Sequence, residues 1–378
     1  MRANCWSLSE LVTSPPIWLT IIAFILLLGP LVVLHELGHY WAGRLFGVRA
    51  QTFSVGFGKE LWHRVDKRGT RWRLAAIPLG GYVMFAGDAD ATSGPNPELA
   101  GKSPAQLKGT LAGAALWQRT IIILAGPMAN FLTAIVIYAG FALAFGVPYT
   151  APVVNGFAPQ SAAQTAGMQV GDRIAEVDGT RIDDFSEIAP RIAFYPGQTV
   201  QLVLDRAGRR IELPVKIALS TETDRFGNKI SRGLLGISAQ QSEFRGANPL
   251  QAIGFGLATT AQKTRMIAVG LKQIIFGERS LRDLSGLPKT AQASGQMLSL
   301  GWLVFVEFAA FVSINLGFIN LLPIPTLDGG HLVIYAAEAV RRKPLGIRSQ
   351  ELAFRLGMAF VLVFAVFVTL NDLASMFL

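Results

Sequence analysis

Residues Ile17 to Leu34 make an 18-residue run that carries no charge. As a helix at ~1.5 Å per residue it would reach roughly 27 Å, close to the hydrocarbon thickness of a bilayer. The run leads straight into His35 and Glu36 rather than into a small-residue cleavage site, so it reads as a retained membrane span and not as a removed signal peptide. Three further apolar stretches, Ile121–Val147, Trp302–Leu322 and Leu356–Leu370, bring the expected number of spans to four. The single cysteine, Cys5, excludes an internal disulfide and a thiolate metal cluster. A net charge of +9 would suit nucleic acid if it formed one patch. It is dispersed, so it speaks for no nucleic-acid partner and instead reports orientation in a lipid bilayer.

Between Tyr40 and Leu116 there are ten Lys or Arg against five acids, and Arg341, Arg342, Lys343 and Arg348 follow the third span. Both connections are therefore expected on the cytoplasmic side, with both chain ends and the long segment between spans two and three outside. The chain divides as follows: the N-terminus and first span over 1–46, a cytoplasmic-side β-hairpin and loop over 47–116, and the second span over 117–147. A small soluble domain follows at 152–217, then an amphipathic surface or membrane-lying segment at 218–299. The third span with its Asn, Pro and Asp-Gly region occupies 300–340, and the fourth span 351–378. Thr52 to Gly87 alternates in β-forming residues around the turn Asp66-Lys67-Arg68-Gly69, and Gly56, Gly58, Gly80 and Gly81 mark bulges or close backbone approaches. Ala89 to Pro104 reads as a loop. Ala247 to Phe276 has helical periodicity, but Lys263, Arg265 and Lys272 argue that it does not cross the membrane.

The chemistry starts at the inner end of the first span. In His35-Glu36-Leu37-Gly38-His39 the two histidines are four apart and share one helix face, which suits two imidazoles on one Zn²⁺, with Glu36 reaching the attacking water as a base. Chance would give this spacing in roughly one such sequence in a thousand. A plain polar helix end leaves two His and a Glu beside apolar sequence unexplained, because ionisable groups there are costly. A catalytic zinc needs a third protein ligand. Asp328 is the candidate: it follows the third span after Pro323 and Pro325, which break the helix, and by span parity it reaches the same leaflet as His35 and His39. A membrane substrate must unwind before its carbonyl is attacked, and the hairpin could pair with the unwound backbone as an added strand. His63 reads as an interfacial residue. His331, close behind Asp328, reads as either a support for the metal or an ordinary structural histidine.

These features resemble the site-2 protease family, most of all its bacterial regulator of sigma-E protease branch. The resemblance is carried by His35 to His39, Phe53 to Gly58, Ile77 to Val83, Gly126 to Phe131 and Asn315 to His331. It implies zinc bound by His35, His39 and Asp328 and catalysis by Glu36. It also implicates Asn130, Asn315 and Asn320 in substrate handling or core structure, with Asn320 the first choice for a substrate contact and Gly56 and Gly58 on the substrate-facing hairpin. Gln160 to Val177 resembles the PDZ domains of such proteases, so an extended peptide is an expected ligand of that domain. One such domain fits, where some family members carry two; Leu284-Ser285-Gly286-Leu287-Pro288 also departs from the family pattern.

The expected fold is an α-helical polytopic membrane protein with about four transmembrane helices, a membrane-associated β-hairpin and an inserted PDZ (α+β) domain. The resemblance implies a multi-pass protein of the bacterial inner membrane that cuts single-pass transmembrane proteins such as anti-sigma factors, or signal-peptide remnants. The PDZ domain would lie outside the cytoplasm and the active site toward the cytoplasmic leaflet. Two other classes compete. A membrane-anchored PDZ scaffold would not need zinc, and a zinc transporter would not need Glu36.

Overall fold

The computed structural model describes residues 15–89, 102–103, 105–192, 195, 197–223, 229–239, 243–277, 286–343 and 345–377. In chain order, helix α1 (Ile17–Leu45) leads to the hairpin β1 (Ala50–Val65) and β2 (Arg71–Phe85), then to α2 (Leu116–Phe145). Next come β3 (Val147–Tyr149), β4 (Gly156–Phe157), α3 (Ala162–Thr165), β5 (Arg173–Val177), β6 (Thr180–Arg181), α4 (Ile188–Ile192), β7 (Thr199–Arg206) and β8 (Arg209–Lys216). The short strands β9 (Ala218–Thr223), β10 (Lys229–Leu234), β11 (Ile237–Ser238) and β12 (Glu243–Arg245) follow. The chain ends with α5 (Pro249–Ile275), α6 (Leu287–Ser299), α7 (Trp302–Asn320), α8 (Asp328–Arg341) and α9 (Ile347–Phe377). The chain forms two compact units, one helical and one centred on Gly140–Phe255.

In the helical unit, α1, α2, α7 and residues Arg348–Ala374 of α9 are each long and apolar enough to cross a membrane, the four spans expected. α1 buries Ala23, Leu27 and Leu31, one residue per turn, against Phe305 of α7. Its other face leaves Ile21, Ile22, Ile25 and Leu26 exposed, an arrangement costly in water and favourable in lipid. α1 does not stop at Leu34 but continues to Leu45, which keeps His35 and His39 on one helix face.

The hairpin packs on the inner end of α1. Tyr40, Val48, Phe53, Val83, Phe85 and Ile122 form its core, with Phe53 stacked on Trp72 at 4.4 Å. Asp66 holds the turn: its Oδ1 accepts from the backbone of Arg68 and Thr70, and its Oδ2 accepts from Trp72 Nε1 at 3.1 Å. These donors outweigh burial and hold its carboxyl below the usual range. The strands are bent, so Thr52 pairs with both Met84 and Arg71, and the register slips between Val55 and Glu60. Gly56 (φ 89°) and Gly58 (φ 84°) sit at that slip in the left-handed backbone that glycine adopts without strain. Phe57, Leu61, Trp62, Leu74 and Ile77 are exposed, which gives the hairpin an apolar skin suited to a membrane surface.

α5 is not among the helices apolar enough to cross, consistent with its three cationic side chains. Lys263 rests over the rings of Tyr138 at 5.6 Å and Phe311 at 5.8 Å, so α5 packs against α2 and α7. α6 is packed rather than lying on a surface: Ser294 and Gly295 are buried, and a Cβ on Gly295 would come within 2.8 Å of Thr20 Oγ1. Buried Asp372 of α9 caps α6, accepting from the backbone of Gly286 at 2.8 Å and Lys289 at 3.2 Å. Most of the expected loop between Ala89 and Pro104 lies outside the described residues, as do Leu284 and Ser285.

The second unit is built on a four-stranded sheet in the order β6-β5-β7-β8. Ile174, Val200, Leu202, Leu204 and Val215 fill its core. Asp178 and Gly179, both at positive φ, turn β5 into β6. The unit is wider than the 152–217 read from sequence, because β11 pairs with β4 and β12 with β3. Strands of two or three residues carry no readable alternation, so these closing pairs leave no local sequence signal.

Candidate metal centre

α1 and α2 approach unusually closely where the functional residues lie. A Cβ on Gly38 would stand 2.8 Å from the carbonyl carbon of Ala125 and 3.0 Å from Ala129 Cβ, closer than side chains pack. Opposite, a Cβ on Gly126 would fall 2.5 Å from His39 Cε1 and 2.8 Å from Cδ2, and nearer still to Nε2. Glycine at both positions lets the helices close until His39 Nδ1 reaches the Ile122 carbonyl at 2.9 Å. A carbonyl only accepts, so Nδ1 carries a proton, and in the neutral ring that a metal ion requires Nε2 keeps its lone pair.

That lone pair faces two others. His39 Nε2 lies 3.2 Å from His35 Nε2 and 3.4 Å from Asp328 Oδ1, and His35 Nε2 lies 3.2 Å from Asp328 Oδ2. Asp328 is the first residue of α8, which the turn after α7 aims back at α1. The ion pair of half-buried Arg119 with buried Glu338, at 3.2 Å, ties α8 to the start of α2.

The donor set fits zinc. Tetrahedral ligands at about 2.0–2.1 Å from one ion stand roughly 3.3 Å from one another, and the three separations here are 3.2, 3.2 and 3.4 Å. Asp328 Oδ2 is buried with no hydrogen-bond partner, as expected of an oxygen kept for a cation. Among the described residues, His35, His39 and Asp328 are the one such metal-binding group.

Glu36 is half-buried on the same turn as the two histidines. The hairpin reaches it: a Cβ on Gly81 would lie 3.2 Å from Glu36 Cγ and 3.1 Å from Val32 Cγ1, and the Val83 backbone lies close to the Glu36 carboxylate. The other residues singled out in the sequence are placed as follows. Asn130 is fully buried, 3.0 Å from His35 Nδ1. Asn315 donates to the Phe311 carbonyl one turn back on its own helix at 3.0 Å. Asn320 ends α7, half-buried, and its side chain has no partner among the described residues. Gly56 and Gly58 lie at the hairpin bulge. The His331 ring lies 4.9 Å from that of Phe354, tilted by 51° and outside the metal-ligand group, and His63 pairs with Glu60 at 2.6 Å on the hairpin. Gly38, Gly81, Gly126 and the Ile122 carbonyl belong to the site although the HExxH pattern does not point to them. Gly126 carried a visible signal, standing before Pro127 inside an apolar helix where glycine is unfavourable.

Comparison with known proteins adds a family. A model described as Peptidase family M50 matches residues 23–364. A "Putative zinc metalloprotease" of Agrobacterium fabrum is 42% identical over 361 residues, covering 94% of this chain and 96% of its own length. A protein of the same description from Rhizobium meliloti is 41% identical, with 95% and 97% covered. "Metalloprotease MmpA" of Caulobacter vibrioides is 35% identical, with 93% and 95% covered. Among solved structures, the PDZ domain of the SdrC-like protein from Listeria monocytogenes matches 25% of this chain and 90% of its own, with 21% identity and a TM-score of 0.20.

Proposed function

The chain belongs to peptidase family M50 and is a multi-pass membrane zinc metalloendopeptidase, and from this membership we propose that it hydrolyses peptide bonds of transmembrane substrates within or at the edge of the bilayer. The observation that carries the proposal is the meeting of His35 Nε2, His39 Nε2 and the Asp328 carboxylate beside Glu36, on a helix apolar enough to span a membrane.

Zinc held by His35, His39 and Asp328 would polarise the scissile carbonyl and make water nucleophilic at neutral pH. Glu36 takes the proton from the attacking water and delivers it to the leaving amine, as general base and then general acid. An unwound substrate has lost its helical hydrogen bonds, and each unsatisfied backbone group costs several kcal/mol in lipid. Two features support a substrate path here. β2 runs beside Glu36 at Gly81 and Val83, a backbone along which an extended substrate can lie as an added strand, with Gly56 and Gly58 shaping the hairpin. The unpartnered amide of Asn320 can bind a substrate carbonyl or a developing oxyanion, and Asn315 is a second, weaker candidate.

The distribution of Lys and Arg supports an inner-membrane topology with the metal site toward the cytoplasmic leaflet and the inserted domain outside. In that topology the domain contributes no catalytic group and selects substrates, by holding an extended peptide or by excluding untrimmed ones. Single-pass proteins, anti-sigma-factor-like proteins and signal-peptide remnants are the proposed substrate class. The test is Glu36→Gln in reconstituted protein with a single-pass substrate. Zinc content should stay at the wild-type level while cleavage is lost, and retained turnover would remove Glu36 from its role.

A further inference from the structure

We propose that Asn130 is a positioning residue of the metal centre: it holds the His35 ring through Nδ1 in the tautomer that turns the Nε2 lone pair toward the zinc site. This rests on the zinc reading above, and it gives Asn130 a role other than contact with substrate.

His35 Nε2 lies 3.2 Å from His39 Nε2 and 3.2 Å from Asp328 Oδ2, so it serves a shared ion only if it carries no proton. A neutral imidazole with a free Nε2 has its hydrogen on Nδ1, and that hydrogen needs an acceptor. The Asn130 side-chain amide is the group 3.0 Å away, as drawn with its nitrogen toward the ring. In that orientation two nitrogens face each other while Asn130 Oδ1 is buried without a partner. Turning the amide by half a revolution exchanges atoms that are nearly isoelectronic and brings Oδ1 to the ring, where it accepts from His35 Nδ1–H, while the amide nitrogen takes the place the oxygen leaves.

Asn130 is held in place for this task. It is 0% exposed, and its backbone carbonyl accepts from the Ser313 hydroxyl at 2.8 Å, which fastens α2 to α7. A Cβ on Gly317 would come within 3.3 Å of Asn130 Cβ, so α7 closes over it. Fully enclosed, it has no face toward a substrate. The arrangement repeats the support of His39, whose Nδ1–H goes to the Ile122 carbonyl on the same helix. α2 thus orients both imidazoles from behind, the usual design of a rigid metal site.

The experiment compares zinc affinity, by chelator competition, and the visible spectrum of the Co²⁺-substituted protein for full-length wild type, Asn130→Leu and Asn130→Asp in detergent. Asn130→Leu should lose about ten- to a hundredfold in affinity and perturb the cobalt bands, whereas Asn130→Asp, which keeps an acceptor, should stay within about tenfold of wild type with its bands preserved. Asn130→Ala replaces the leucine variant if the latter does not fold, with the same expectation against Asn130→Asp. Gly29→Ala on α1, where nothing lies within 4 Å of a Cβ, is the control and should leave affinity unchanged. Wild-type affinity in the apolar variant, or equal loss in Asn130→Asp, would overturn the inference. A wild-type protein that binds no zinc would instead overturn the zinc reading itself.

Discussion

Gly126→Ala adds one methyl group at the back of the metal site. The new Cβ would lie 2.5 Å from His39 Cε1 and 2.8 Å from Cδ2, where ordinary contact begins at 3.4 Å. The ring must therefore retreat by roughly 0.9 Å or more. It has no free direction: Nδ1 is bonded to the Ile122 carbonyl at 2.9 Å, and Nε2 stands 3.2 Å from His35 Nε2. Moving the helices apart instead breaks the Nδ1 bond. Either response displaces Nε2 well beyond the ~0.2 Å that a metal–ligand distance tolerates. Overpacking of this kind costs about 1–3 kcal/mol; charged to the ligand geometry, that is about a five- to 150-fold loss of zinc affinity. Chelator competition on purified protein measures it, with Gly29→Ala on α1 as control, because nothing lies within 4 Å of a Cβ there. Zinc affinity and cleavage at wild-type levels in Gly126→Ala would refute the close-packing account of how His39 is held.

Asp328→Asn should lower both zinc occupancy and activity, since a neutral amide is a poorer ligand than a carboxylate; unchanged metal content by atomic emission would place the third ligand elsewhere. Deleting the inserted unit from Val147 to Arg245 should spare cleavage of a short, already trimmed substrate while weakening choice among full-length ones, and a folded, zinc-loaded deletion that cuts neither would refute the selector role. In the inserted domain, Arg206 Nε and Nη2 each reach the buried Asp172 carboxylate at 2.7 Å and hold its carboxyl below the usual range. Because the folded-state value is depressed, this contribution is fully present above the unfolded value of about 3.9 and fades as pH falls through the folded one. Arg206→Ala should cost about 2 kcal/mol near pH 7 and less at pH 3, read from thermal melts of the domain's transition.

The amino-acid sequence by itself determined what depends on neighbours along the chain. Four apolar stretches set the spans, because crossing hydrocarbon is a matter of length and hydropathy. The four-residue spacing of His35 and His39 set half of the metal site, because helix geometry fixes which side chains share a face. Alternation around Asp66 set the hairpin, and β5 and β7 of the inserted domain were legible the same way. Asp328 was reachable by counting spans to a common leaflet and by the resemblance over Asn315 to His331. What the tertiary structure decided was everything that acts across the chain. The partners of His39 and His35 on α2 lie 83 and 95 positions away, and no periodicity records such a pairing. Gly38 and Gly126 stood within motif stretches, but that their lack of a side chain lets two helices close is seen only when the backbones are in place. Gly81 became part of the site only when the bent hairpin laid it against Glu36, since a strand's pattern fixes its faces but not the helix it will meet.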